Sequence, residues 1–160
     1  MASLEAKAQT VPEKTGSNVS QAQAQEALDF HNKVRADVNV PGLEWSEELA
    51  AYAQQWAEQV ASDGRKLKHR QNGKYGENIF GGGGGNYTAL NASESWYGEI
   101  KDFTPGILNE SNWYKTGHYT QMVWRNTTRV GIGMATCSGG GIIIVGNYDP
   151  PGNYMGESPY

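Results

Sequence analysis

The stretch Gly117-His118-Tyr119-Thr120-Gln121-Met122-Val123-Trp124 places a histidine directly behind a glycine, at the start of a segment dense in aromatic and apolar residues. The whole chain of 160 residues contains only three histidines, which are His31, His69 and His118. Histidine is the commonest neutral metal ligand and the usual proton carrier near pH 7. A metal site or an acid–base site can therefore be built in few ways in this chain. Which kind of site is possible depends on the carboxylates that lie beside the histidines.

Length and charge favour one domain and argue against several classes of protein. The chain is long enough for one hydrophobic core, and its formal net charge of −4 comes with 13 lysines and arginines that form no dense run. This argues against nucleic-acid binding. The longest apolar run, residues 142–145, predicts a buried strand, because a membrane span needs roughly 20 such residues. Cys137 is the single cysteine, so no intramolecular disulfide can form.

The first 24 residues differ in composition from the rest. They are polar and rich in Ala, Gln, Lys and Glu, and they show no apolar core of a secretory leader. We predict a flexible polar tail over residues 1–24 and a single domain over residues 25–160.

Hydrophobic spacing predicts helices first and strands late. Helices are expected over residues 25–38, 47–62 and 87–101, and a β-hairpin is expected over 129–137 and 141–148. Irregular stretches are expected over 63–80 and 102–117, with the glycine run 81–85 as a connector and 118–124 as a short helix or strand. This order indicates an α+β domain whose helices pack on a small sheet.

Two carboxylates stand in unusual surroundings. Glu77 lies in a glycine-flanked segment among aromatic residues, and Glu99 follows Trp96 by three residues on the third predicted helix. If Trp96 faces the core, Glu99 lies near the core margin and needs a partner, because an unpaired buried charge is costly. His69 and His118 are the candidate partners.

Two histidines with two glutamates permit three interpretations. They can hold a divalent metal, they can work as acid–base pairs, or they can form a structural hydrogen-bonded cluster. Composition alone favours the structural cluster, since no His-Glu-x-x-His helix is present. His31 is predicted to be a satisfied core histidine, and Arg35, one helical turn later, is expected to pair with a carboxylate. Cys137 has no histidine close in sequence and is not expected to act as a nucleophile.

Several motifs together resemble those of the CAP superfamily, which comprises cysteine-rich secretory proteins, antigen 5 and plant pathogenesis-related 1 proteins. The resemblance covers roughly residues 25–157 and includes the helix motif Trp96-Tyr97-Gly98-Glu99-Ile100. Four further motifs occur in order: His31-Asn32-Lys33-Val34-Arg35, Gly76-Glu77-Asn78-Ile79, Gly117 to Trp124, and Asn147-Tyr148-Asp149-Pro150-Pro151-Gly152-Asn153-Tyr154.

The resemblance implies a fold and a site. The fold is a three-layer α-β-α sandwich around a central mixed, mostly antiparallel sheet. By motif, His69, Glu77, Glu99 and His118 occupy the positions of the family's cavity tetrad, in which the two histidines can hold a divalent ion, often zinc. One departure is that Gly146 stands where the family usually has a cysteine, so Cys137 lacks its usual partner.

The resemblance also implies a secreted, extracellular binding or interaction module with a weak zinc site. Sterol or other lipid is a candidate ligand, taken up by the loop over residues 101–117. The apolar residues of that loop either gate a ligand pocket or cover the sheet edge, and they are Phe103, Ile107, Leu108, Trp113 and Tyr114. The alternative function is a metal-dependent, peptidase-like hydrolase in which Glu77 or Glu99 serves as general base. A third possibility is an interaction protein whose tetrad only stabilises the cavity.

Overall fold

Four helices, a 3-10 helix and four strands make up the part of the chain that the computed structural model describes, residues 9–64 and 66–160. In chain order they are α1 (Gln21–Asp37), β1 (Glu44–Trp45), α2 (Glu47–Ser62), β2 (Gly76–Gly82), α3 (Ala89–Tyr97), the 3-10 helix (Gly98–Asp102), α4 (Trp113–Met122), β3 (Arg129–Thr136) and β4 (Ile142–Asp149).

The strands form one mixed sheet in the order β1-β3-β4-β2. β1 runs parallel to β3, whereas the β3–β4 and β2–β4 pairs are antiparallel. The predicted hairpin and the mostly antiparallel sheet are therefore confirmed. β4 lies in the middle of the sheet and is almost fully buried, as expected for its run of isoleucine and valine.

Alternation along β4 divides the core into two layers. Ile143 and Val145 pack with Ala53 and Ala57 of α2, on one face of the sheet. Ile142, Ile144 and Tyr148 join the apolar residues of the helices on the other face, where α1, α3 and α4 lie. Because successive side chains of a strand point to opposite faces, a single apolar strand supports both layers. The α-β-α sandwich expected from the sequence is the observed architecture.

The start of α2 follows the rules of helix capping. Ser46 accepts a hydrogen bond from the Leu49 N–H through its side chain, and Glu47 and Glu48 occupy the first turn, where negative charge is favoured. The helix spans the residues predicted for it. Its first turn packs closely on the sheet at Gly131, where an added Cβ would lie 2.1 Å from the backbone nitrogen of Ala50.

Part of the predicted polar tail packs on the domain. Val11 and Val19 are buried in the core, Ser17 Oγ donates to the Ile132 carbonyl at 2.6 Å, and α1 begins at Gln21 rather than at residue 25. Single apolar residues eight positions apart give no periodic signal, which explains why the sequence pattern suggested a tail. Residues 1–8 lie outside the described residues.

Three other boundaries differ from the prediction. Residues 76–82 form β2 rather than an irregular stretch, and this strand takes in the first two glycines of the predicted connector. The third helix is α-helical only to Tyr97 and continues as the 3-10 helix. α4 already begins at Trp113, inside the predicted loop. For β2, pairing with β4 outweighs the weak local preference, because glycine is a poor strand former.

Candidate metal site

The first half of the site is the pair formed by Glu99 and His118. Glu99 lies in the 3-10 helix and His118 lies in α4. Glu99 Oε2 accepts a hydrogen bond from His118 Nδ1 at 2.8 Å. Glu99 Oε1 accepts the main-chain N–H groups of His118 at 2.8 Å and of Tyr119 at 3.1 Å. Both carboxylate oxygens are therefore committed, and one side chain fixes both the ring and the backbone of His118.

Neighbouring side chains restrict His118 further. Asn78, in the middle of β2, donates to the His118 carbonyl oxygen at 3.0 Å. The indole ring of Trp96 stacks on the His118 ring, with the ring centroids 6.5 Å apart. Trp96 is buried, as the helix pattern predicted, and its Nε1 donates to the Ile79 carbonyl. His118 is thus fixed by contacts from β2, α3 and the 3-10 helix.

The second half of the site is the pair formed by Glu77 and His69. His69 Nδ1 donates to Glu77 Oε1 at 2.9 Å, and the same oxygen accepts the Arg70 main-chain N–H at 3.0 Å. The hydrogen bond to Glu77 is the main cause that raises the pKa of His69 above its usual value. The His69 side chain is 67% exposed, whereas that of Glu77 is only 9% exposed. The carboxylate is therefore a buried anchor for a surface imidazole.

The segment that carries His69 has no regular secondary structure, yet it is attached to α2. Trp56 Nε1 donates to the Lys68 carbonyl at 3.0 Å, and the Arg70 guanidinium lies 3.8 Å from the centre of the Tyr52 ring. The backbone of Lys68 and the side chain of Arg70 thus hold this segment against α2.

The three histidines differ in how their ring nitrogens are hydrogen-bonded. Because a carboxylate can only accept, the bonds to Glu77 and Glu99 assign the proton to Nδ1 in His69 and His118. No described residue hydrogen-bonds Nε2 of either ring. His31, by contrast, uses both nitrogens, with Nδ1 at 2.8 Å from the Ala27 carbonyl and Nε2 at 2.7 Å from the Tyr148 hydroxyl. His31 is fully buried, as expected for a satisfied core histidine.

The pKa of His31 is lowered to about 4, mainly by burial; the hydrogen bond to the Ala27 carbonyl opposes this shift, and the positive charge of Arg35 adds to it. Arg35 itself does not pair with a carboxylate, contrary to the expectation from sequence. Its guanidinium donates instead to main-chain carbonyls, at distances of 2.7 to 2.9 Å, namely those of Pro41, Met122, Trp124 and Thr127. Arg35 therefore joins α1 to the chain that leaves α4.

Imidazole paired with carboxylate through Nδ1 is the usual arrangement around a metal-binding histidine, because the carboxylate fixes the tautomer and raises the basicity of Nε2. Each of the two pairs therefore has the donor chemistry that suits a divalent metal. Within residues 9–64 and 66–160, however, no group of three or more His, Cys, Asp or Glu side chains converges as ligands for one ion. The protein can offer two imidazoles, with the glutamates orienting them.

The five apolar residues of the predicted ligand loop divide into two sets. Leu108 is buried, and Phe103 packs against Tyr119 and Tyr160. Ile107, Trp113 and Tyr114 are exposed, at 58%, 46% and 60%. The first set anchors the loop and the second set faces solvent.

Sequence reasoning missed two parts of this region. Asn78 stands next to Glu77 in the same motif, but only the sheet register shows that its side chain reaches α4. The C-terminal segment runs beside the loop, since the Leu108 N–H donates to the Glu157 carbonyl and the Gly156 N–H to the Leu108 carbonyl. This contact brings the exposed Tyr154 and Met155 to the same side of the molecule as Ile107. In the sequence, the one indication that the C-terminal segment belongs to this region is the motif over residues 147–154, which resembles a CAP motif.

Among the described residues, no helix is long and apolar enough to cross a membrane. The sequence profile of the cysteine-rich secretory protein family, CAP, matches residues 28–148. A relative from Nicotiana tabacum, pathogenesis-related protein 1A, is 46% identical over 141 residues, which span 88% of this chain and 83% of the relative.

Solved structures give the same result. The crystal structure of NaASP2 with Zn2+ superposes with a TM-score of 0.76 at 26% identity, covering 94% of this chain and 87% of that one. The structure of manganese-bound Ac-ASP-7 superposes with a TM-score of 0.60 at 18% identity, covering 91% of this chain and 76% of that one, and supports the fold alone. From the matched profile, the plant relative and these superpositions, this chain belongs to the CAP family of cysteine-rich secretory proteins.

Proposed function

We propose that this protein is an extracellular CAP binding module that holds a divalent metal, most readily zinc, between His69 and His118. The observation that carries the proposal is the state of the two rings: in each, Nδ1 is hydrogen-bonded to a glutamate, and Nε2 accepts no hydrogen bond from any of the described residues. The solved relative with zinc supports the choice of metal. The extracellular location is supported by the family, whose name describes secretory proteins.

Two imidazoles leave coordination positions open. Structural zinc sites usually have four protein ligands and catalytic ones three, so a two-histidine site binds zinc weakly and completes its shell with water or with a ligand atom. Such a metal supplies Lewis acidity and can lower the pKa of a bound water. The role of this chain's residues is to fix the two rings, through Glu77 and Glu99, in the protonation state that a metal requires.

Calorimetric titration of zinc into metal-stripped protein tests the proposal. We expect one zinc per chain in the wild type and no binding in a His69→Ala/His118→Ala double variant. The matched control is His31→Gln, which removes the third histidine but leaves both Nε2 atoms of the site in place. Binding that survives in the double variant, or the absence of binding in the wild type near pH 7, would rule out this site.

Lipid capture is a second candidate function, favoured by the distribution of exposed apolar side chains. The described residues contain seven large exposed hydrophobic side chains, and five of them come from the loop, α4 and the C-terminal segment: Ile107, Trp113, Tyr114, Tyr154 and Met155. Isolated exposed apolar residues are ordinary, but a concentration of them in one region is typical of a binding surface.

Fluorescence titration with a sterol and with a fatty acid tests this second candidate. We expect saturable binding that persists with a chelator present and weakens at least about tenfold in Trp113→Ser, because the exposed indole is lost without a cost in packing. Leu67→Ser is the matched control, since Leu67 is 53% exposed and belongs to the segment of His69. Equal effects of both substitutions would argue against a specific lipid surface.

Hydrolysis has less support from the carboxylates. Both oxygens of Glu99 accept hydrogen bonds, so Glu99 is an orienting group rather than a free base. Glu77 uses Oε1 for His69 and Arg70, and the other oxygen accepts no hydrogen bond from a described residue. If a peptidase or esterase rate is found, Glu77→Gln should abolish it with folding intact. A rate that is unchanged in this variant would come from a contaminant.

A further inference from the structure

The residues that flank His118 in α4 are held by the segment that follows β4. Asn153 Nδ2 donates to the Gly117 carbonyl at 2.8 Å, and the Thr120 hydroxyl donates to Asn153 Oδ1 at 2.6 Å. One amide side chain therefore bridges the position just before His118 and the position two residues after it. The Gly152 N–H adds a bond to Gln121 Oε1 at 3.0 Å.

The backbone of Asn153 is adapted to this contact. Its φ is +60°, in the left-handed region, which asparagine tolerates better than most residues with a side chain. The preceding Gly152 lies so close to the end of α4 that an added Cβ would be 2.9 Å from Gln121 Nε2 in the helix and 2.6 Å from the ring of Trp124 just beyond it. A glycine followed by asparagine thus allows the chain to approach α4 and to turn an amide toward it.

The bonds of Asn153 complement those already described. Glu99 holds the ring and the N–H of His118, and Asn78 holds its carbonyl oxygen. None of these bonds joins the residues of α4 on both sides of His118. The side chain of Asn153 does so, because its amide nitrogen donates to Gly117 and its amide oxygen accepts from Thr120. The orientation of the amide is assigned by these two partners, because a flipped amide would point its oxygen at the Gly117 carbonyl, one acceptor against another.

We propose that Asn153 is a positioning residue of the metal site, which fixes the Gly117–Thr120 turn and so directs the His118 ring. The metal-binding consequence rests on the proposed function, whereas the positioning of the ring does not depend on it. Groups that orient a metal ligand typically change metal affinity by 10- to 100-fold when they are removed. The C-terminal segment of the chain is thereby part of the site, although it contributes no ligand.

Asn153→Gly is the decisive variant, because glycine keeps the left-handed backbone and removes both side-chain bonds. The matched control is Asn39→Gly. Asn39 has a φ of +58°, it is exposed, and no side-chain hydrogen bond to a described residue depends on it. Both substitutions replace asparagine by glycine at a left-handed backbone position, so they change the conformational entropy of the unfolded chain equally. A difference between the two variants therefore isolates the contact of Asn153 with α4.

The readout is the set of ring C–H signals in an NMR spectrum of metal-free protein, in which His31 and His69 serve as internal references. We expect Asn153→Gly to shift the His118 signal and to leave the signals of His31 and His69 unchanged, and Asn39→Gly to shift none of the three. Asn153→Asp keeps the acceptor for Thr120, so it should shift the His118 signal less than Asn153→Gly does. A His118 signal unchanged by Asn153→Gly, or equal shifts of all three rings, would overturn the proposal.

Zinc titration of the same variants provides the second readout. We expect the zinc affinity of Asn153→Gly to fall by about tenfold relative to Asn39→Gly. If the wild type binds no zinc while the His118 signal responds as expected, the metal function fails and the positioning role stands. If the wild type binds zinc and Asn153→Gly neither shifts the ring signal nor weakens binding, the positioning role fails and the metal function stands.

Discussion

The two histidine–glutamate pairs of this protein share one chemistry but differ in how firmly they are built. His118 lies in a helix, its ring stacks on Trp96, and its carbonyl accepts from Asn78. His69 lies in a segment without regular structure, and its side chain is 67% exposed, against 37% for His118. One half of the site is fixed by the core, and the other half is attached to the surface.

This difference has a physical origin in what each glutamate can reach. Glu99 accepts two main-chain N–H groups and a ring N–H, whereas Glu77 accepts one of each. Elements with many buried contacts open rarely, and exposed segments with few contacts open often. We therefore expect His118 to be preorganised and His69 to adjust its position when a metal or ligand binds. The proposed two-histidine site would thus combine one fixed ligand with one adaptable ligand.

The largest expected effect comes from the residue that anchors the fixed half. In Arg35→Met, four main-chain carbonyls lose their buried donor, one at Pro41 after α1 and three at or after the end of α4, and each unsatisfied group costs about 1 to 3 kcal/mol. We expect the free energy of unfolding in urea to fall by at least about 3 kcal/mol.

Arg125→Met is the matched control for Arg35→Met. Arg125 is exposed, and its guanidinium makes a single long bond to the Asn39 carbonyl at 3.4 Å. Its substitution should change stability by less than about 0.5 kcal/mol. Similar losses in the two variants would show that Arg35 does not anchor α4 through its carbonyl contacts.

The next effect concerns pH, where the core histidine and the surface histidine behave oppositely. The folded state keeps His31 neutral, with a pKa of about 4 against 6.5 in an unfolded chain, so its contribution to stability is complete above pH 6.5 and is lost as the pH falls toward 4. The loss amounts to about 3 kcal/mol at most. His69 has a raised pKa, so its contribution is complete below pH 6.5 and is lost as the pH rises through its folded pKa.

An NMR pH titration of the three rings measures both directions at once. We expect the His31 signal to stay in its neutral position down to about pH 5, and the midpoint of His69 to lie above 6.5. Glu77→Gln should return the midpoint of His69 toward its usual value and leave His31 unaffected. A His31 midpoint close to 6.5 would mean that water or another partner solvates this ring.

The smallest effect compares the two glutamates directly. Glu99→Ala should lower the free energy of unfolding by about 2 kcal/mol and Glu77→Ala by about 1 kcal/mol, because Glu99 holds more N–H groups and its bonds to them are charge-assisted. Urea unfolding near pH 7 measures both. Equal losses would remove the distinction between a fixed half and an adaptable half of the site.

Sequence reasoning succeeded where one local rule acted alone. The capping serine and the acidic first turn defined α2, and the run of isoleucine and valine defined β4. The motifs identified the family and the four residues that the structure joins in two pairs. Reasoning from Trp96 also anticipated that Glu99 would need a partner at the core margin.

Sequence reasoning failed where a contact joins distant parts of the chain. Gly76 to Gly82 is a strand because it pairs with residues of β4 that lie 60 to 72 positions later, and glycine gives no strand signal of its own. The partners of Arg35 are main-chain carbonyls, which leave no mark in any side-chain pattern. The role of Asn153 depends on the path of the chain after β4, which its own motif does not describe.

The most direct test observes Nε2 of His69 and of His118, the two ring nitrogens that no described residue hydrogen-bonds. In a nitrogen NMR experiment on the histidine rings, we predict that metal-free protein shows His69 and His118 protonated at Nδ1, and that zinc shifts Nε2 of both. The His31 nitrogens, which are both hydrogen-bonded in the core, should not respond. A contradicting result would be zinc that shifts neither Nε2, or a neutral form of either ring, above its titration midpoint, that carries its proton on Nε2 in the metal-free protein.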